Sequence, residues 1–153
     1  MTAVAPADSS VELVDVDESN WRLVAAVRPR PEQERFVAAT TYYLCLCHYG
    51  GVWHPLAACV GDEVVGYVQW GVDDDGSHWI GGLVVDAAHQ GRGLGRQVVE
   101  RLIERMREAA GAAGLALSYE PDNVPARTLY ASLGFVETGE RDGDEVVARL
   151  LPA

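Results

Sequence analysis

Positive charge is scarce in this chain: Lys and Arg together number 12 against 23 Asp and Glu, a net charge of -11. That balance disfavours non-specific binding to nucleic acid and draws small cations, although acidity also serves solubility alone. Cysteine is scarce too, and an odd count of three argues against a disulfide framework. The run Cys45-x-Cys47-His48 lacks the C-x-x-C form and no second pair follows it. His48, His54, His78 and His89 show no H-x-x-x-H spacing, so no metal site is expected. No apolar run reaches the roughly 18 residues that cross a bilayer. Residues 1–10 are small and polar without a basic start, which reads as a flexible tail rather than a secretion signal. A cytoplasmic protein is expected, with neither membrane nor nucleic acid as partner. Repeats and linkers are missing as well, and a chain of 153 residues buries about 70% of its unfolded surface around one core, so a single domain over 11–153 is expected.

What is present alternates short strands with helices. Val11 to Val16 is short and β-branched, a first strand. Asp17, Ser19 or Asn20 can cap a helix carrying Trp21, Val24, Ala25 and Val27, which Pro29 and Pro31 interrupt. A second helical segment starts around Glu32 and runs through Phe36, Val37, Thr40, Tyr43, Leu44 and Cys47 to Gly50-Gly51. Pro55–Val60 and Val64–Val72 flank Gly61-Asp62-Glu63 as a hairpin, and the turn Asp73-Asp74-Asp75-Gly76 returns the chain as a third strand over His78–Asp86. Beyond a central helix, Leu115–Tyr119 is a strand and Val124–Leu133 a helix. Phe135–Thr138 and Val146–Leu150 then close the chain as a pair around Gly139–Asp144.

The centre of the chain is Leu83-Val84-Val85, followed by Gln90-Gly91-Arg92-Gly93-Leu94-Gly95-Arg96 and by Val98, Leu102, Ile103 and Met106 at helical spacing. The change of period marks strand, turn and helix. The first N–H groups of that helix have no intrahelical acceptor and the helix dipole is positive there, so the glycine turn offers bare donors to an anion such as phosphate. A Walker loop needs Lys and then Ser or Thr after its last Gly, where this chain has Arg96-Gln97. The dinucleotide pattern G-x-G-x-x-G fails because the third glycine falls one residue short.

Gln90-Gly91-Arg92-Gly93-Leu94-Gly95 does match the Gln/Arg-x-x-Gly-x-Gly/Ala signature of the GNAT superfamily of N-acetyltransferases. Asn123 followed by Ala126-Arg127-Thr128-Leu129-Tyr130-Ala131-Ser132-Leu133-Gly134-Phe135 resembles that family's second segment. Asn20-Trp21, Gln33 to Ala38 and Glu120-Pro121-Asp122-Asn123 resemble its bacterial spermine/spermidine acetyltransferase branch. The resemblance implies an α/β (α+β) fold: a mixed, mostly antiparallel sheet of six or seven strands with four helices, split between the fourth and fifth strands. It also implies acetyl-CoA as co-substrate without a metal, a small amine as acceptor and, in many relatives, a homodimer.

The same resemblance distributes the roles. Backbone N–H groups from Gln90 through Gly95 would hold the pyrophosphate, with Arg92 and Arg96 either adding charge or simply solvated at the helix start. The backbone of Leu83, Val84 and Val85 would bind the pantetheine arm, although a Leu-Val-Val run is ordinarily core strand. Tyr130 is the matched general acid: a phenol with a reference pKa of about 10 is protonated at neutral pH and can supply a thiolate. Asn123 caps a helix or touches the cofactor arm. Where the polyamine branch has bulky or charged residues late in the fourth strand, this chain has Gly81-Gly82, which would widen the site. Glu120 is the first candidate for base or amine anchor, with Asp122 and Asp73 to Asp75 as alternatives. Acetylation of an amine-bearing antibiotic or an amino acid, or acetyl-CoA binding without catalysis, are the competing functions.

Overall fold

A computed structural model describes residues 10–152, so the tail expected over 1–10 lies outside the described residues except for Ser10. The strands are β1 (Glu12–Asp15), β2 (Trp53–Val60), β3 (Glu63–Val72), β4 (His78–Val85), β5 (Leu115–Tyr119), β6 (Val136–Asp142) and β7 (Glu145–Leu150). The helices are α1 (Trp21–Ala25), α2 (Thr40–Gly50), α3 (Leu94–Ala110) and α4 (Val124–Ser132). One sheet holds all seven strands in the order β1-β2-β3-β4-β5-β7-β6. Every neighbouring pair is antiparallel except β4 and β5, which are parallel.

The two faces of the sheet are covered by different helices. Leu94, Val98, Leu102 and Met106, one stripe of α3, bury against Val65, Val68, Ile80, Leu115 and Leu117. On the opposite face Val24 of α1 and Tyr43 and Leu44 of α2 pack over Ala57 and Tyr67. Alternation along the strands divides the two sets, as the pleat requires.

That alternation breaks in β3, between Val65 and Val68, and again in β4, where the fold opens. Ile80 packs on the α3 side, and so do Leu83 and Val85, an even position followed by odd ones. Between them the register with β3 slips at Tyr67/Gln69, and Gly82 has φ +61, which a residue without Cβ adopts readily. This bulge bends β4 away from β5. Parallel pairing is limited to His78↔Leu115 and Trp79↔Ala116, so the edge of β4 that faces β5 beyond Trp79 carries no ladder.

Three expectations need correcting. The segment from Glu32 to Cys47 is not one helix: Pro31–Phe36 forms a 3-10 turn, Val37 and Ala39 are extended, and α2 begins at Thr40, whose hydroxyl donates to Val27 O at 2.8 Å. Gln33 holds the 3-10 turn in place: its Oε1 accepts from Arg30 N at 3.0 Å while its Nε2 donates to Gln90 Oε1 at 3.0 Å, across 57 residues of sequence. The last hairpin is longer than expected. β6 continues beyond Thr138 through Gly139, which sits at a register slip, to a turn at Gly143-Asp144; every residue of β6 is exposed, so no apolar alternation marks its continuation. Finally, β2 begins at Trp53 and contains Pro55, which is tolerated because β1 pairs only with Leu56 to Cys59.

Candidate active site

The glycine turn is built from the end of β4. Asp86 accepts from Ala88 N at 3.2 Å and from Arg28 N at 3.1 Å, which fixes the 3-10 turn Ala87–His89. Gln90 Nε2 donates to Val85 O at 2.9 Å and to Gln33 Oε1 at 2.7 Å, so its side chain anchors the turn and is already committed within the protein. Gly91 and Gly93 have φ of +80 and +72, and nothing lies within 4 Å of the place a Cβ would take at either. The N–H groups of Leu94, Gly95 and Arg96 have no intrahelical acceptor; Gln97 is the first to find one, donating to Gly93 O at 3.3 Å. Bare donors beside an open, Cβ-free surface suit a pyrophosphate.

The remaining turn residues divide between surface and core. Arg92 Nη1 lies 3.1 Å from His89 Nδ1. Arg96 pairs with Glu100 at 3.2 Å and donates to Ser132 Oγ at 2.8 Å, clasping α3 to α4. Leu94 is buried in the core, and Gly95 is helical with its Cβ position 3.6 Å from Val85 Cγ2. Leu83, Val84 and Val85 likewise turn their side chains into packing, which leaves only the unladdered backbone of β4 for a ligand.

Tyr130 stands across the opening, on α4. Its ring packs between Tyr119, with centroids 5.7 Å apart, and Phe135, at 6.0 Å. Burial pushes the phenol well above its ordinary range, with the Tyr119 hydroxyl adding to the effect. The hydroxyl has no hydrogen bond among the described residues, yet no buried side-chain oxygen there lacks a partner, so it reaches accessible space. Asn123 Oδ1 accepts from Ala126 N at 3.4 Å and so caps α4. Asn123→Ala should lower stability by about 0.5–2 kcal/mol, seen as a fall in Tm, and leave acetyl-CoA affinity unchanged. A tenfold loss of affinity at constant Tm would make Asn123 a ligand contact instead.

On the α2 face the acidic candidates separate. Asp122 accepts from Arg35 at 2.8 Å and is neutralised by it. Asp73 to Asp75 form the turn entering β4, about 20 Å along the strand from Leu83, and Asp75 is bound to Ser77. Glu120 follows Tyr119 at the opening, half-buried, with no cationic partner among the described residues. Gly81-Gly82 does not widen the site as expected. A Cβ on Gly81 would meet Trp53 at 3.1 Å, and one on Gly82 would meet Gln69 Cδ at 3.2 Å and Tyr67 Cε1 at 3.3 Å, so neighbouring strands fill that space.

Two features escaped sequence reasoning. Tyr67 Oη donates to Gln69 Oε1 at 2.9 Å, and Cys47 Sγ lies 3.4 Å from Tyr67 Oη and 3.6 Å from Gln69 Oε1, a buried polar knot beside the end of β4. Gln69 is 2% exposed, and a glutamine inside an apolar strand was the available signal. Glu145, at the start of β7, accepts from Ser118 Oγ at 3.3 Å on this same face, one residue before the strand expected from Val146.

A family model described as "Acetyltransferase (GNAT) family" matches residues 14–135. The spermine/spermidine N(1)-acetyltransferase of Bacillus subtilis is 26% identical over 156 positions, covering 93% of this chain and 99% of that protein. Among solved structures, a ribosomal L7/L12 α-N-protein acetyltransferase in complex with coenzyme A superimposes with a TM-score of 0.71 at 16% identity, over 95% of this chain and 96% of that one. AAC(6')-Ib in complex with paromomycin and acetyl-CoA gives 0.72 at 21% identity, over 92% of this chain and 93% of that one.

Proposed function

Because this chain belongs to the acetyltransferase (GNAT) family and is an acyltransferase that acetylates amines, we propose that it moves the acetyl group of acetyl-CoA to a primary amine of a small polycation such as spermidine or spermine. The observation that carries this reading is the divergence of β4 from β5 after Trp79↔Ala116, with free N–H groups of the glycine turn on one side and unpaired acidic side chains on the other. Acetyl-CoA supplies a thioester already activated for transfer, so no acyl-enzyme is needed. The protein then has three tasks: to hold phosphate on the turn, to align the thioester arm along the β4 edge, and to move protons. Tyr130 gives its phenolic proton to the departing thiolate, and burial keeps that proton in place through neutral pH. Glu120 holds the ammonium end of the acceptor. A polycation suits this face better than a neutral amine because the chain's net charge of -11 concentrates cations around it.

Salt dependence tests the acceptor. The Debye length shrinks from about 10 Å at 0.1 M to about 3 Å at 1 M, so kcat/KM for spermidine should fall as salt rises while that for an uncharged-tail amine stays nearly flat. Glu120→Gln should lower kcat/KM for spermidine roughly tenfold through loss of one charge-assisted contact. Equal salt slopes for both amines, together with an indifferent Glu120→Gln, would remove the polyamine assignment and leave acetyl transfer to another amine.

A further inference from the structure

Glu120 has an acidic neighbour that no sequence motif marks. The β5–β7 ladder ends at Tyr119↔Val146, and continuing its register by one residue brings Glu120 to Glu145, near enough for the two charges to interact. Side chains opposed in this way have Cβ atoms about 4.5–5.5 Å apart on one face, where like charges repel. Neither carboxylate has a cationic partner among the described residues: Arg149, further along β7, is held by Glu140 at 2.8 Å and Arg35 by Asp122 at 2.8 Å. The pair lies beyond the last β4–β5 pairing, Trp79↔Ala116, at the end of β5 that no longer ladders with β4. Two carboxylates without a cationic partner suit a cationic guest.

We propose that Glu145 is the general base of the reaction, taking the proton from the acceptor nitrogen while Glu120 holds the acceptor's charge; this rests on the acetyl-transfer reading above. The surroundings of Glu145 suit it to take a proton. Burial pushes the Glu145 carboxyl upward, and the charges of Glu120 and Asp142 push the same way, against the opposing hydrogen bond from Ser118. A carboxylate with raised proton affinity is the better acceptor of a proton near neutral pH. The groups facing Glu145 are Tyr43 of α2, Ser118 and Glu120 at β5 and Asp142 of β6, none of them cationic. The proton inventory closes: the ammonium nitrogen loses two protons as its C–N bond replaces the thioester C–S bond. One passes to Glu145 and on to water. The other restores Tyr130, whose own proton has gone to the thiolate.

The sign of the pH dependence follows. A raised carboxyl is protonated, and inert as a base, until pH exceeds its shifted value, so the acid limb of kcat/KM should lie above the ordinary Glu value of about 4.3. The test measures thiol release from acetyl-CoA with spermidine across that limb for the wild type, Glu145→Gln, Glu145→Asp and Glu120→Gln. Glu145→Gln should lower kcat about 100-fold with KM nearly constant and abolish the limb, and Glu145→Asp should recover part of the rate. Glu120→Gln should raise KM instead. A Glu145→Gln protein that keeps the wild-type kcat and acid limb, or that changes KM alone, overturns the assignment. If the wild type rejects spermidine but acetylates another amine, the polyamine reading fails, and the same comparison with that amine still decides the role of Glu145.

Discussion

Tyr130→Phe is expected to lower kcat by roughly 10²–10⁴-fold, the span of a positioned acid, with acetyl-CoA affinity and stability close to wild type. The change is local. The ring stays between Tyr119 and Phe135, and the hydroxyl bonds to nothing among the described residues, so its removal orphans no partner. Only the proton for the thiolate is lost. Because burial raises the phenol above its ordinary value of about 10, Tyr130 should stay protonated through the working range, and no basic limb of kcat below that value belongs to it. Single-turnover thiol release, with calorimetry of acetyl-CoA binding, makes the measurement. Full turnover in a folded Phe variant would return Tyr130 to the core as a packing residue.

Gly93→Val should weaken acetyl-CoA binding by about 10²–10⁴-fold. At φ +72 a β-branched residue is strained by about 1–3 kcal/mol, so the backbone must turn and carry the N–H groups of the helix start with it. Losing two charge-assisted hydrogen bonds at about 1.5–3 kcal/mol each accounts for that range. Gly95→Ala is the contrasting control. Its φ is helical and its Cβ would make an ordinary 3.6 Å contact with Val85, so affinity should stay within a few-fold of wild type. The structure thus separates two glycines that sequence reasoning had grouped together. A folded Gly93→Val protein with wild-type affinity would end the phosphate-turn assignment.

Much of the fold was legible because its signals are local. The shift from a continuous apolar run at Leu83–Val85 to helical spacing after Leu94 lies within one short stretch, and the strand, turn and helix stand where that shift put them. β5 carries the bounds the sequence suggested, Leu115–Tyr119, because every residue in it but Ser118 is buried. β6 was expected only as far as Thr138: the exposed edge strand Val136-Glu137-Thr138-Gly139-Glu140-Arg141-Asp142 has no buried face to write its full length into the sequence. The single helix expected from Glu32 to Gly50 is interrupted at Val37 and Ala39, where the backbone is extended, and only its second half stands as α2.

The candidate site divides along the same line. Gly91, Gly93 and the start of α3 are determined by residues within a few positions of one another, since φ and the unpaired N–H groups of a helix start are properties of the local backbone. Tyr130 entered through its spacing within a motif, and the packing that raises its phenol required Tyr119 and Phe135 to be brought around it. The acceptor side was decided by tertiary structure alone. Arg35 neutralises Asp122 across 87 residues, and Trp53, Tyr67 and Gln69 fill the space that Gly81-Gly82 leaves. Glu145 comes opposite Glu120 only through the register of β7 on β5. Register depends on where a distant turn closes, and a slip of one residue would send the Glu145 carboxylate to the other face of the sheet.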